Sequence, residues 1–491
     1  MTRLATPKYE ENVPETVYGY VSAKSQGGVP MPQATDLSSA RPFHAGDDDL
    51  ARAKEHARAA GLTVTAESRL GFAVSGTPAA YEQLTTGRIV SYEVRQRTEM
   101  QRVRDVTHLD IIGDRQPEAL GIGAAPREDA IEAVALEQPR IAMHVLPVSA
   151  DPPTVAGFHL TLPDDVARLL NAGPAHDAGE TGHGVQVAMV DTGQFAHPFF
   201  AAHHYDVAPA VTVVAGTKPT EDPVGHGTGE SANIFAVAPG ARLRPYRASN
   251  PKGDLVAAMA GFMRAKSDRP QIMTNSWGGD GPFPPDGPPS QPDIMAALEI
   301  QDALDHGIVV VFSAGNGQFS IEPQVPGVLA AGGAFVGPTG ALRASDYASG
   351  YVSPWFQGVV VPTVCGLVGM LPRAQYLMLP VPPGCEIDVE ESSPDPHDPS
   401  FDRTAKNDGW AEFSGTSAAA PQLAGAVAVL LGARPELTSA QVVEALSSTT
   451  VDVTTGRNAF GNQARQGHDD ATGAGLVDVS AALDFVLARF A

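Results

Sequence analysis

The chain has 491 residues, 43% of them hydrophobic and 18% charged, and this balance is typical of globular proteins with a sizeable core. Its formal net charge is −23 at pH 7, and because an acidic surface repels phosphate groups, we expect no nucleic-acid partner. The two cysteines, Cys365 and Cys385, are too few for a disulfide framework or a paired-cysteine zinc site, so we expect free thiols, with a single bridge as the alternative.

The N-terminal segment MTRLATPKYEENVPETVYGY lacks the apolar run of a signal peptide, and the sequence has no uninterrupted apolar stretch of about 18 residues. These features predict a cytoplasmic protein that does not span a membrane. Residues 1–45 contain several prolines and glycines and show little periodicity. They are predicted to form an extended N-terminal arm.

Residues 46–107 predict a small α+β domain. The segment DDDLARAKEHARAAG has acidic residues at its start and a glycine at its end, as a helix does. The segments LTVTAE, LGFAVSG and RIVSYEVRQR predict strands, and TPAAYEQL predicts a short helix. Residues 108–160 are predicted to be a linker or pro-region, with one helix over REDAIEAVALEQ and a proline-rich link, LPVSADPP.

Residues 161–491 predict an α/β domain with a mostly parallel sheet flanked by helices. The apolar segments VQVAMVD, QIMTNSW and GIVVVFSAG are strand-like, and DIMAALEIQDALDHG between them is helix-like. Such alternation favours a parallel sheet that is covered on both faces. An acidic, proline-rich insertion occupies residues 380–410. We expect a solvated surface loop there, with calcium binding or shaping of a cleft as alternatives.

Polar residues follow several of these strand-like segments, and functional groups gather at the carboxyl ends of parallel strands. VAMVDTG places Asp191 at such an end, where a buried carboxylate can orient a histidine. Asp-Thr-Gly is also the signature of aspartic proteases, which need two aspartates that share a proton. This chain has one such tripeptide, so that reading requires a dimer.

Two further motifs add a histidine and a serine. In GHGTG, the small residues around His226 let other backbone approach the imidazole closely. The segment FSGTSAAAPQLAGAVAVLL predicts a long apolar helix with Ser417 at its start, where unpaired N–H groups and the helix dipole favour negative charge. Ser414 can cap this helix, which leaves Ser417 for another role.

A fourth polar residue, Asn316, follows the strand-like segment VVVFSAG. Its side chain can donate to an oxyanion beside the backbone N–H of Ser417, and a turn asparagine is the alternative. The three catalytic residue types stand in the order Asp, His, Ser. That order is found in subtilisin and differs from the orders of chymotrypsin and the α/β-hydrolases.

The motifs VAMVDTG, GHGTG, NSWGG, SAGN and SGTSAAAP stand in the order of the subtilase family, so residues from about 165 to 485 resemble a subtilase catalytic domain. The resemblance implies a serine endopeptidase in which Ser417 attacks the peptide carbonyl and His226 is the general base. Asp191 holds the imidazole, and Asn316 completes the oxyanion hole. The resemblance also implies that a polypeptide substrate lies between backbone walls formed by Ser276, Trp277, Gly278, Ala314 and Gly315.

The sequence departs from the family pattern at three positions. Gly229 stands where a second histidine is usual, Ala418 stands where methionine is usual, and Gln422 stands where a histidine often follows the proline. The segment ESANIFAVAPGARL is also short for the calcium-binding loop of many subtilases. We therefore assign no metal ligand and expect no cofactor.

The segment AESRLGFAVSGTPAAYEQLTTG resembles the propeptide-type domains that precede subtilase domains. That resemblance implies a precursor whose own N-terminal domain is a folding aid and intramolecular inhibitor, with its C-terminal tail in the cleft. Two alternatives are a catalytically silent scaffold of the same fold and a protein that cleaves only itself. We also hypothesise that Glu322 favours a basic residue at P1, the substrate residue whose carbonyl is attacked.

Overall fold

The structure, a computed structural model, describes residues 9–10, 12–97, 103–113, 129–142, 158–372, 374–392, 401–402, 404 and 409–490. An N-terminal unit precedes a larger α/β unit. The elements of the N-terminal unit, in chain order, are β1 (Val17–Ala23), α1 (Asp47–Ala59), β2 (Thr63–Glu67), β3 (Gly71–Gly76), α2 (Pro78–Leu84), β4 (Arg88–Arg97), β5 (Val103–Ile112), β6 (Ile131–Leu136) and β7 (Ile141–Ala142).

A four-stranded sheet organises the N-terminal unit, with the strand order β2-β3-β1-β6. Strand β1 is antiparallel to both of its neighbours, and its residue Val21 is buried with Phe72, Tyr81 and Val134 in one core. Strands β4 and β5 form a separate antiparallel pair. Both helices and the three strands predicted over 47–97 are present.

Two expectations for this part of the chain were wrong. Residues 17–23 were predicted to lie in an extended arm, but they form β1, a central strand of the sheet. The segment predicted as a helix over REDAIEAVALEQ forms β6 at Ile131–Leu136, because its backbone pairs with β1 and four of its apolar residues are buried. The sheet thus draws strands from outside the boundaries predicted at residues 46 and 107.

A buried charged network joins the N-terminal unit to the larger unit. Lys266 forms ion pairs with Glu299 and, at 2.8 Å, with Asp302. From the N-terminal unit, the Tyr20 hydroxyl donates to Glu299 at 2.6 Å, and the His44 imidazole lies 2.8 Å from an Asp302 carboxylate oxygen. Each buried charge therefore has a partner of opposite sign or a hydrogen bond, which offsets its cost of desolvation.

The strands of the larger unit are β8 (Leu160–Thr161), β9 (Gln186–Asp191), β10 (Asp206–Val207), β11 (Val211–Thr212), β12 (Arg242–Arg247), β13 (Ile272–Asn275), β14 (Trp277–Gly278), β15 (Val309–Ser313), β16 (Leu329–Val336), β17 (Leu342–Ala344), β18 (Tyr351–Val352), β19 (Val360–Val361), β20 (Val364–Leu367), β21 (Leu377–Pro380) and β22 (Trp410–Phe413). Nine of them form one sheet with the order β10-β12-β9-β13-β15-β16-β17, to which β11 adds beside β12 and β20 beside β16. All pairs in this sheet are parallel except β16 with β17, as predicted for this fold class.

Helices cover both faces of this sheet, and two separate clusters of buried apolar side chains lie against it. The helices are α3 (Asp164–Leu169), α4 (Gly173–Asp177), α5 (Pro198–Ala202), α6 (His226–Val237), α7 (Ala258–Ser267), α8 (Gln291–Asp305), α9 (Glu386–Glu391), α10 (Thr416–Ala433), α11 (Ser439–Ser448) and α12 (Val479–Arg489). Capping boxes fix the first turns of two of them: Ser290 and Asp293 form one at α8, and Thr438 and Gln441 form one at α11.

The central helix α10 is long and apolar enough, by length and composition, to cross a bilayer. It is instead packed inside the α/β unit, with 89% of the helix buried. Gly425 in α10 lets α6 approach closely, because a Cβ atom there would lie 2.7 Å from the Ile234 carbonyl oxygen. The small residues of α10 therefore serve dense packing of a core helix.

The described part of the 380–410 insertion is not the solvated loop that we expected. Its helix α9 docks on the loop before α6, with the Glu386 and Ile387 amides donating to the carbonyls of Pro223 and Val224. The side chains of Asp388 and Glu391 are buried. Both cysteines are buried free thiols.

Candidate active site

Asp191 and His226 meet at the carboxyl edge of the sheet. Asp191 ends β9, His226 begins α6, and an Asp191 carboxylate oxygen lies 2.7 Å from His226 Nδ1. Both side chains are buried. Gly227 permits this approach, because a Cβ atom there would clash with the backbone of Gly193 and contact Asp191. Since a carboxylate can only accept, it holds the proton on Nδ1 and turns Nε2 towards the other side.

Helices α6 and α10 run parallel, so their first residues lie at the same end of the domain. The Phe413 ring, just before α10, lies 6.5 Å from the His226 ring. Further along, the Gln422 amide donates to Asn233 at 3.1 Å, and Gly425 packs against Ile234. The contacts advance together along both helices, so the first turn of α10, which contains Ser417, lies beside the His226 end of α6.

Ser417 lies in the first turn of α10, where backbone N–H groups have no partner within the helix. The Ser276 hydroxyl donates to the Ser417 carbonyl at 2.9 Å, which fixes that turn to the end of β13. The Ser417 hydroxyl itself is buried and has no hydrogen bond within the described part of the chain. Because it holds no structural bond there, this hydroxyl is suited to chemistry.

Asn316 is joined to the same turn. Its Oδ1 accepts from the Thr416 amide at 2.9 Å and from the Thr416 hydroxyl at 3.1 Å. Because these bonds fix Oδ1 on Thr416, the Nδ2 group of the same amide points away from Thr416 and can donate to another acceptor. Asn316 is therefore held against the residue that precedes Ser417, as an oxyanion donor requires.

The residues predicted as substrate walls form two groups, which differ in what their backbone groups bond to. Trp277 and Gly278 form β14, which pairs antiparallel with β7 of the N-terminal unit, while the Trp277 indole is buried against Phe312. In contrast, the Ala314 amide and both backbone groups of Gly315 bond within the α/β unit. The 276–278 wall can thus pair with an extended chain, and Ala314 and Gly315 can only line its path.

The electrostatics of the site centre on His226. Burial on its own lowers the pKa of His226, but the carboxylates of Asp191, Glu230 and Asp222 outweigh burial and raise it. Burial raises the pKa of the Glu230 carboxyl, and the neighbouring His226 imidazole offsets part of that rise. A Glu230 carboxylate oxygen lies 3.9 Å from His226 Nε2.

Sequence reasoning missed Glu230 and Asp222. The signal for Glu230 was available, because a residue four positions after His226 shares its face of the helix. Asp222 accepts hydrogen bonds from Thr192 and from the Thr228 amide and hydroxyl, and so fixes the loop that carries His226. No comparable local pattern points to Asp222.

The departure at Gly229 has a structural explanation. A Cβ atom at Gly229 would collide with the Phe413 ring, so an aromatic side chain fills the space at this position, where the subtilase pattern has a second histidine. Gln422, at another departure, bonds to the Leu367 backbone and to Asn233. Among the described residues, no three His, Cys, Asp or Glu side chains are grouped so that they could hold a metal ion.

The Subtilase family profile matches residues 182–475, and the chain belongs to this family of serine proteases. The minor extracellular protease Vpr of Bacillus subtilis is 33% identical over 171 residues, which cover 31% of this chain and 20% of Vpr. A probable subtilase-type serine protease of Deinococcus radiodurans is 27% identical over 63% of this chain and 41% of its own length. Subtilisin NAT of Bacillus subtilis subsp. natto is 26% identical over 57% of this chain and 64% of its own length.

The chain thus spans less than two thirds of the length of each of these relatives. Among solved structures, it resembles fervidolysin from Fervidobacterium pennivorans, a keratinolytic enzyme related to subtilisin. The TM-score is 0.56 at 19% identity, and the match covers 97% of this chain and 62% of fervidolysin. This likeness establishes a subtilisin-like fold, including the predicted parallel sheet and N-terminal α+β region.

Proposed function

We propose that the chain is a serine endopeptidase that hydrolyses polypeptides through an acyl-enzyme on Ser417. The observation that carries this proposal is the 2.7 Å hydrogen bond between Asp191 and His226 Nδ1, at the point where the first turn of α10 reaches the same edge of the sheet. Asn316, bonded to Thr416, supplies the fourth group that acyl transfer needs.

In the proposed mechanism, His226 Nε2 takes the proton of the Ser417 hydroxyl as its oxygen attacks the substrate carbonyl. Asp191 stabilises the imidazolium that forms. The N–H of Ser417 and Nδ2 of Asn316 donate to the developing oxyanion, and His226 then protonates the leaving amine. Water, activated by the same imidazole, hydrolyses the acyl-enzyme and restores the serine.

A fluorophosphonate probe tests this proposal, because it labels only a serine that is activated as a nucleophile. We expect covalent labelling at Ser417 and cleavage of an internally quenched casein substrate. An unlabelled chain that also leaves casein intact would favour the catalytically silent scaffold.

We further propose that the chain is made as a self-inhibited precursor. Strand β7 pairs with Trp277 and Gly278, the wall that an extended substrate is proposed to use. The N-terminal unit is also bound to α7 and α8 through Lys266 and its partners. These contacts support an inhibitory role for the N-terminal unit, because its own strand competes with a substrate for the same backbone groups.

Self-processing gives a measurable result. On purification and incubation, we expect intact-mass measurement to find a mature N-terminus downstream of Ala142 and upstream of Leu160. The Ser417→Ala chain should keep all 491 residues. A processed chain that cleaves no added peptide would favour the single-turnover alternative, and an unprocessed wild-type chain would contradict the precursor proposal.

Glu230 should contribute to the pH dependence of the reaction, alongside the larger effect of Asp191 on the pKa of His226. His226 must be neutral to accept a proton, and the nearby carboxylates raise its pKa, so activity rises with pH on the acid limb of the profile. Burial raises the pKa of Glu230 to about 8, so its carboxylate bears a negative charge mainly above that pH. In Glu230→Gln this charge is lost and the pKa of His226 falls. The acid limb of kcat/KM should then move to lower pH, with activity rising roughly threefold to tenfold near pH 8 to 9 and much less at pH 7.

The control for this experiment is Glu221→Gln. Glu221 lies on the loop before His226, but its exposed carboxylate pairs with Lys218. Its removal should leave the acid limb where it is, as general surface charge would be screened by salt. An unchanged acid limb in the Glu230 variant would show that this carboxylate does not influence the imidazole.

A further inference from the structure

The pairing of β7 with β14 gives a register for a bound peptide. Ala142 lies opposite Trp277, and Ile141 lies opposite Gly278. A substrate strand in this register places its next residue opposite Ser276, whose hydroxyl bonds to the Ser417 carbonyl. That residue is beside the nucleophile and therefore corresponds to P1. Counting back along the strand, Ala142 stands at P2, Ile141 at P3 and Arg140 at P4.

The side chain at this P4 position enters a buried acidic subsite. The Arg140 guanidinium lies 2.5 Å from a Glu322 carboxylate oxygen, and Arg140 Nε lies 3.8 Å from Glu137. Arg140 is 9% exposed and Glu322 is 0% exposed. The backbone of Gly279 lines this subsite, because a Cβ atom there would lie 4.0 Å from the guanidinium, an ordinary van der Waals distance.

The two carboxylates of this subsite belong to different units of the protein. Glu137 lies between β6 and β7, and it leaves together with Arg140 if the N-terminal unit departs. Glu322 lies just beyond Asn316 in the α/β unit and stays. A buried carboxylate that has lost its cationic partner is costly, so the vacated subsite favours a ligand that restores the guanidinium.

We infer that Glu322 makes this protease select substrates with a basic residue, arginine above all, at P4. The inference rests on the proposed function and adds the substrate class. It replaces the hypothesis that Glu322 favours a basic P1 residue, because its carboxylate contacts the residue before Ile141 and not the position beside Ser417. Arginine fits better than lysine, since its planar group makes charge-assisted hydrogen bonds to a carboxylate in a fixed geometry.

Internally quenched peptides that differ only at P4 test the inference on the purified full-length chain after incubation for self-processing. We expect kcat/KM for P4 arginine to exceed that for P4 norleucine by roughly 10- to 100-fold, the range that a charge-assisted hydrogen bond supports. In Glu322→Gln this ratio should fall to about one, with cleavage of the norleucine peptide retained. Glu322→Asp, which keeps the charge but shortens its reach, should keep part of the preference.

The control is Asp286→Asn, which removes an exposed negative charge from the loop that follows β14. It should leave the P4 preference unchanged. Equal cleavage of both peptides by the wild-type chain, or a preference that survives in Glu322→Gln, would overturn this inference and leave the proposed function standing. Cleavage of neither peptide, with no fluorophosphonate labelling, would overturn both.

Discussion

Replacing Ser417 with alanine is expected to lower kcat by about 10⁶-fold and to abolish fluorophosphonate labelling, a loss of the size known for the nucleophile of subtilisin. The fold should tolerate the change. The Ser417 hydroxyl is buried without a hydrogen bond in the described part of the chain, so its removal leaves no new unpaired group there. We therefore expect the melting temperature to stay the same or to rise slightly.

Ser414, three residues earlier, gives the opposite pattern and is the control. Its hydroxyl donates to the Ala374 carbonyl at 2.7 Å, accepts from the Gly369 amide at 2.9 Å and lies 2.7 Å from the Tyr347 hydroxyl. Ser414→Ala should cost about 1–3 kcal/mol of stability while labelling is retained. Thermal unfolding and probe labelling of both variants separate the two roles. Retained labelling in Ser417→Ala would contradict the assignment of the nucleophile.

Replacing Asn316 with alanine is expected to lower kcat by about 10²–10³-fold with a small change in KM, the effect known for the oxyanion asparagine of subtilisin. The physical reason is that the amide acts on charge that develops only in the transition state. Steady-state kinetics with one peptide substrate, at the pH where the wild-type chain is most active, measures both constants.

Asn316 also accepts from the Thr416 amide, so the alanine variant alone does not separate catalysis from support of α10. Asn316→Asp keeps an oxygen for the Thr416 amide but replaces the donor with an acceptor. We expect it to remain folded and yet to lose at least as much kcat as the alanine variant. Activity near the wild-type level in Asn316→Asp would show that the Nδ2 group is not an oxyanion donor.

The positions of the candidate site residues could be predicted from the sequence because each of them lies in a short motif at the end of a strand or the start of a helix. Asp191 ends β9, and Ser417 lies in the first turn of α10, as the apolar runs beside them predict. Their convergence follows from the parallel sheet, since the carboxyl ends of such strands meet at one edge. Their catalytic roles stay proposals until the variants above are measured.

The errors in the N-terminal unit have one physical cause. The sequence of β6 is rich in Ala, Glu and Leu, which favour a helix, but its backbone pairs with β1, more than 100 residues earlier in the chain. Non-local pairing of this kind overrides local propensity. The same pairing makes residues 17–23 part of a sheet, although they follow an irregular, proline-containing segment.

The roles of Glu230 and Glu322 show a second limit. Both are buried carboxylates at positions where the sequence alone does not predict burial. The proposed role of each depends on a partner: His226, one helical turn earlier, for Glu230, and Arg140 of the N-terminal unit for Glu322. The sequence hypothesis associated Glu322 with a basic P1 residue, but the sequence did not indicate which substrate position this carboxylate would face, and the specificity itself stays a proposal. The register of β7 against β14 indicates that position.

The ion pairs around Lys266 affect how soon the N-terminal fragment could leave after the chain is cut. They hold Tyr20 and His44 of the N-terminal unit, which lie more than 90 residues upstream of Ala142. A cut downstream of Ala142 breaks none of these contacts, so scission of the peptide bond and departure of the fragment are two separate events. In the proposed precursor, the strength of this interface then governs how long the severed fragment stays bound, and with it the lag before a newly processed molecule can cleave other peptides.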